Sequence, residues 1–133
     1  MSKKDDLINQ SLERCMKDGT FMDHFYQHFI DSDPRIAEKF TNTDMDKQKR
    51  MMDASLHMLM LLSADSSAGM GHLRHIGKTH SREHHNINPD LYDCWFNSLM
   101  QTVREYDSEL TPEIETAWAD VLKPGMENMR SMY

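Results

Sequence analysis

An all-α fold is what this sequence predicts, and three observations predict it. Apolar residues recur at the three- and four-residue spacing of a helix face along almost the whole chain. No stretch combines strict apolar alternation with β-branched enrichment, as a half-buried strand would. The breaks between stripes are short and rich in Gly, Pro and Asx residues, which stop and start helices. Stripes joined so tightly are buried by packing helix on helix. The expectation is six or seven helices in one domain over residues 1–133, with residues 1–6 as a flexible N-terminal tail.

Taken in order, a first helix is expected from about Leu7 to Asp18, stopped by Gly19. A second runs from about Thr20 to Asp31, where Phe21, Phe25 and Phe29 with Met22, Tyr26 and Ile30 make a broad apolar face. Asp33 caps and Pro34 opens a short helix carrying Ile36 and Phe40. Thr41–Asp44 reads as a loop. From Asp46 to Ser63, Gln48, Met52, Leu56, Leu59 and Leu62 share a face. Small and polar residues from Ala64 to Gly71 form another loop, before a helix bearing Leu73, Ile76 and His80. Asn88-Pro89-Asp90 restarts the chain into a helix with Tyr92, Trp95, Leu99, Val103 and Tyr106. Thr111-Pro112 opens the last, striped by Ile114, Ala117, Trp118, Val121, Leu122, Met126, Met129 and Tyr133, with a kink expected at Pro124.

Composition narrows the function. A net charge of −7 argues against nucleic acid and anionic membranes as partners, since both call for clustered Lys and Arg. No apolar run approaches a membrane span, and the acidic start is unlike a secretory signal. A cytoplasmic location is therefore expected. Cys15 and Cys94 stand in no metal-binding spacing and read as intracellular thiols, a disulfide being left open. The 13 Met residues suit an irregular helical core.

The eight histidines are the residues to weigh for chemistry. Most belong on solvated faces. His80 differs, because it stands four residues after Ile76 and seven after Leu73, on the apolar face of its helix. By position alone it is either a ligand or a buried histidine bonded to a backbone carbonyl. No Glu-x-x-His pair and no His-Glu-x-x-His occurs, which removes a di-iron carboxylate bundle and a zinc protease. His24/His28 and His80/His84 are four apart and could chelate, but no carboxylate constellation supports them. Gly-rich phosphate loops are absent. A helical module that binds no cofactor is the remaining reading from a different class.

The order of residues resembles a known family. The run His24-Phe25-Tyr26-Gln27 through Asp33-Pro34 to Phe40 and then Gln48 is similar to the second-to-fifth-helix region of bacterial globins, including the haem domains of flavohaemoglobins. Leu73-Arg74-His75-Ile76-Gly77-Lys78-Thr79-His80 resembles the helix that ends in their iron-ligating histidine. Ile87-Asn88-Pro89-Asp90-Leu91-Tyr92 is similar to the start of the penultimate globin helix, and Ala117-Trp118 to a pair in the last. Two departures stand out. Phe40 and Gln48 are closer together than in flavohaemoglobins, and the segment from His80 to Ile87 is longer than in many globins and holds His84 and His85 as alternative ligands.

The resemblance implies a globin-like fold enclosing one haem b (iron protoporphyrin), with His80 as the metal ligand and Phe25, Phe40, Met52, Leu73 and Ile76 lining the cofactor. It implies Tyr26 and Gln48 as donors that stabilise the gas ligand on the opposite face. Dioxygen, nitric oxide and carbon monoxide are the implied ligands, and oxygen carriage or storage the implied task. A nitric oxide dioxygenase fed by a separate reductase is one alternative, and a gas sensor acting through a partner protein another. Either a monomer or a homodimer is compatible with the exposed parts of the last two helices.

Overall fold

The computed structural model describes residues 3–63 and 90–131, and among them every regular element is a helix. Six are seen: α1 (Lys3–Met16), α2 (Phe21–Ser32), α3 (Pro34–Lys39), α4 (Met45–Ser63), α5 (Leu91–Tyr106) and α6 (Pro112–Ser131). The all-α expectation holds. The expected helix bearing Leu73, Ile76 and His80 lies outside the described residues.

The ends follow local chemistry. Gly19, at φ 82°, takes the left-handed turn between α1 and α2. A Cβ there would meet no atom within 4 Å, so it is backbone conformation, not crowding, that favours glycine. Asp33 caps α3 by accepting from the Arg35 N–H at 2.8 Å, with Pro34 in the first turn. Thr111 caps α6, its hydroxyl accepting from the Ile114 N–H at 3.2 Å. Pro124 lies inside α6, which is assigned as continuous across it. One boundary is corrected. Residues 3–6, assigned by pattern to a tail, form the first turn of α1. A turn of charged residues carries no apolar stripe, so periodicity is silent about it; Lys3 meets Glu113 of α6 at 3.2 Å.

Packing follows the stripes. α2 lies chiefly on α5, α1 on α6, and α4 reaches α1, α2 and α6. Ile8, Leu12 and Cys15 of α1 meet Leu99 and Val103 of α5 and Ala117, Trp118 and Leu122 of α6 in one cluster. Cys15 is completely enclosed, and both cysteines are free. Burial pushes the Cys15 thiol up to about 12, so it sits in the core as a small apolar group.

One buried carboxylate joins three parts of this frame. Asp107, just past α5, is 3% exposed. It accepts from Ser11 Oγ at 2.6 Å, from Arg14 Nη2 at 3.0 Å and Arg14 Nε, and from the Glu109 N–H at 3.0 Å. Ser11 in turn accepts from the indole N–H of Trp118 at 2.9 Å. Burial alone would raise the Asp107 pKa, but the bonds from Arg14, Ser11 and Glu109 outweigh it and hold the carboxyl below its usual value.

The outer face of α2 is tied to the last turn of α5 by two histidines. His28 Nε2 lies 2.8 Å from Glu105, and His24 Nδ1 bonds the Tyr106 hydroxyl. That hydroxyl also lies 2.6 Å from Thr20 Oγ1, whose single proton goes to Asp18. Tyr106 must therefore donate to Thr20 and accept from His24, which fixes His24 as the donor at Nδ1.

Removing the hub should be costly. Asp107→Ala strands Arg14 and Ser11 and is expected to lower stability by about 3 kcal/mol in urea unfolding. The lowered pKa sets the sign of the pH effect. The carboxylate's contribution is complete above the ordinary carboxylate range and is lost as pH falls through the depressed value. Acid unfolding below about pH 4 should accordingly be steeper in the parent chain than in Asp107→Asn.

Candidate functional site

α2 presents a run of aromatic side chains at helical spacing. Phe25 and Phe29, one turn apart, stack with ring centroids 5.6 Å apart and planes 21° from parallel. Tyr26 stands edge-on to Phe25 at 4.9 Å. Phe40, the residue that ends α3, comes edge-on to Tyr26 at 5.7 Å and to Phe29 at 6.1 Å. These are the edge-to-face and offset geometries that ring quadrupoles favour. Behind them, Trp95 of α5 meets Phe25 edge-on at 6.3 Å. Phe25 is fully enclosed, whereas Phe29 and Phe40 are half-buried.

A polar pair is set into this apolar wall. The Tyr26 side chain is almost wholly buried, and its hydroxyl accepts from Gln48 Nε2 at 3.2 Å. Gln48 sits in the first turn of α4, its backbone N–H bonded to Asp44 O at 2.9 Å. Beside it Lys49 reaches Asp23 at 2.8 Å, a second link that fixes α4 against α2. The short Phe40–Gln48 connection therefore still brings the amide onto the tyrosine. Burial pushes the Tyr26 phenol up to about 12, against the opposing effect of the Gln48 bond. Neutral at any physiological pH, the hydroxyl takes the Gln48 N–H on its oxygen and keeps one proton to give.

The sequence-predicted residues divide into three groups. Phe25, Tyr26, Phe40 and Gln48 converge. Met52, one turn beyond Gln48, is half-buried and packs against the core cluster that includes Leu56. Leu73, Ile76, His80, His84 and His85 lie outside the described residues. His24 and His28 point to separate partners on α5 and not to a shared ligand. Among the described residues, no group of three His, Cys, Asp or Glu side chains could hold a metal ion. No described helix is long and apolar enough to cross a membrane. Two contacts carry no signal in the sequence: the support of Phe25 by Trp95, and the Lys49–Asp23 link beside Gln48.

Comparison with known proteins bears on the fold and the family. A family model described as Globin matches residues 23–126. Among solved structures, the chain is similar to a Pseudomonas aeruginosa PAO1 protein described as structurally highly homologous to a human haemoglobin. The two share 37% identity and a TM-score of 0.93, with 98% of each chain covered. No curated protein matches.

The buried phenol makes a spectroscopic prediction. In an alkaline titration followed by tyrosinate absorbance, one phenol should ionise near pH 12, and Tyr26→Phe should lack that step. An unfolded phenol ionises near pH 10, so folded stability should decline as pH rises from about 10 to 12.

Proposed function

The chain belongs to the globin family and is a haem-binding globin; from that premise we propose that it binds dioxygen and related diatomic gases reversibly, as an oxygen carrier or store in the cytoplasm. The observation that carries this reading is the Tyr26–Gln48 pair, two hydrogen-bond donors embedded in a wall of Phe25, Phe29 and Phe40. These residues fit haem b by their chemistry. A flat apolar macrocycle suits the aromatic wall, and the one proton left on the Tyr26 hydroxyl suits a small acceptor held over it. Haem, when bound, supplies an iron with a position open to a diatomic gas.

The chain's own residues then divide the work. His80 is the proposed iron ligand, with His84 and His85 as the alternatives. An imidazole ligates only when neutral, so retention of the group falls as pH drops and the ligand is protonated. Phe40 and Phe29 keep water from the pocket. The Tyr26 hydroxyl would donate a hydrogen bond to a small ligand that gains negative charge, such as dioxygen. Gln48 holds the tyrosine oxygen from the other side and so orients that donor. Carbon monoxide, nearly uncharged, gains little from either. Hydrogen bonds to charged acceptors are worth roughly 1.5–3 kcal/mol, enough to separate the two gases.

Three measurements test the reading. The chain mixed with hemin should give a red protein with a Soret band, and His80→Ala should abolish it; a colourless product from the parent chain refutes haem binding. Tyr26→Phe should speed oxygen release by about tenfold to more than a hundredfold and leave carbon monoxide release nearly unchanged. An unaltered oxygen off-rate would remove Tyr26 from the proposed role. Rapid nitrate formation from nitric oxide, sustained by an added reductant, would replace carriage with dioxygenase turnover.

A further inference from the structure

Phe40 is the one member of the aromatic wall that does not belong to α2. It is carried by α3, a helix of six residues, and its ring position depends on how that helix is held. α3 is too short to hold its own orientation by helix stability alone. Its single buried side chain is Ile36.

Besides its packing on α2, α3 has an outside tie through Arg35 to Asp90. The guanidinium spans two carboxylates. Nε and Nη2 donate to Asp33 at 3.1 and 2.9 Å, and Nη1 and Nη2 donate to Asp90 at 3.3 and 2.8 Å. Asp33 also accepts the Arg35 backbone N–H as the α3 cap. Asp90 immediately precedes α5. The arrangement joins the N-terminal ends of α3 and α5, fifty-five residues apart in sequence. Exposed ion pairs usually contribute little, and here the Arg35 and Asp90 side chains are 47% and 56% exposed. Planar forks that engage both oxygens of two carboxylates are the recognised exception, because geometry, not charge alone, specifies the position.

We propose that Arg35, clamped between Asp33 and Asp90, is a positioning residue that holds α3 on the start of α5 and thereby keeps the Phe40 ring edge-on to Tyr26. The consequence for cofactor retention rests on the haem reading above; the placement of Phe40 does not. Removing the fork frees α3 to swing at its Asp33-Pro34 junction, and the Phe40 ring withdraws from Tyr26 while α2 and α5 stay paired.

The test compares Arg35→Gln and Asp90→Asn with Arg104→Gln. The last breaks a surface pair of similar exposure between α5 and α6, Arg104 to Glu115 at 2.7 Å, far from α3. The first readout is the nuclear Overhauser contact between the Phe40 and Tyr26 rings in the full chain with no hemin added. It should weaken in Arg35→Gln and Asp90→Asn and persist in Arg104→Gln. Undiminished contact in Arg35→Gln overturns the proposal, whatever the chain's behaviour with hemin. A contact weakened equally in Arg104→Gln also overturns it, since the effect would then be general loosening. The second readout is hemin transfer to excess apomyoglobin. The two α3 variants should speed it by roughly threefold, the scale of one well-formed surface ion network. Arg35→Lys, which keeps charge without the fork, should restore neither readout fully. Failure of the parent chain to take up hemin would sink the haem reading and leave the ring contact as the deciding result.

Discussion

A charge with no access to water has to be compensated by the chain, and in this molecule that requirement falls on Asp107. Its carboxylate draws Ser11 and Arg14 from α1 and a backbone N–H from the turn into α6, while Ser11 engages Trp118 from α6 itself. No two of the three helices can move apart without leaving a buried donor or acceptor unmet, at a cost of several kcal/mol. α1, α5 and α6 thus form a frame whose relative placement is set by hydrogen-bond geometry as well as by apolar contact. Apolar burial supplies most of the driving force, but it is non-directional and would tolerate slippage that the carboxylate does not.

The site hangs on that frame through α2. One side of α2 carries Phe25, Tyr26 and Phe29 inward. The other carries His24 and His28, each bonded to the closing turn of α5. Fixed on both sides, α2 is the rigid element, and the short α3 and the start of α4 bring Phe40 and Gln48 to it. Precision at the Tyr26 hydroxyl is therefore inherited from the helices that hold α2, the usual way a functional group is held in place by its supporting shell.

The legible part of this protein was the part governed by local periodicity. Phe21, Phe25 and Phe29 announce α2, Asp33-Pro34 announces α3, and Ile114 to Leu122 announce α6, because each stripe repeats with the helix. The start of α1 was not legible, since its first turn is charged and has no stripe to repeat. The polar pairings were not legible either. Ser11 stands about a hundred residues before both Asp107 and Trp118, and nothing in the sequence couples a serine on one stripe to an aspartate beyond another. Tyr26 and Gln48 occupy an intermediate position. Spacing puts both on apolar faces, but only the resemblance to bacterial globins singled them out as a pair, and their 3.2 Å contact is a property of the folded chain.

The long reach of the Ser11 bonds also orders events in time. Asp107 lies 96 residues beyond Ser11, and Trp118 lies 107. At about 5–20 residues per second, a chain emerging from the ribosome offers α1 its acceptor roughly 5–20 s after Ser11 is made. Until then α1 can meet α4, but Ser11 and Arg14 lack the polar partners that fix its place. The hydrogen-bonded seat of the N-terminal helix is thus completed only by the last third of the chain, although that helix is the first synthesised.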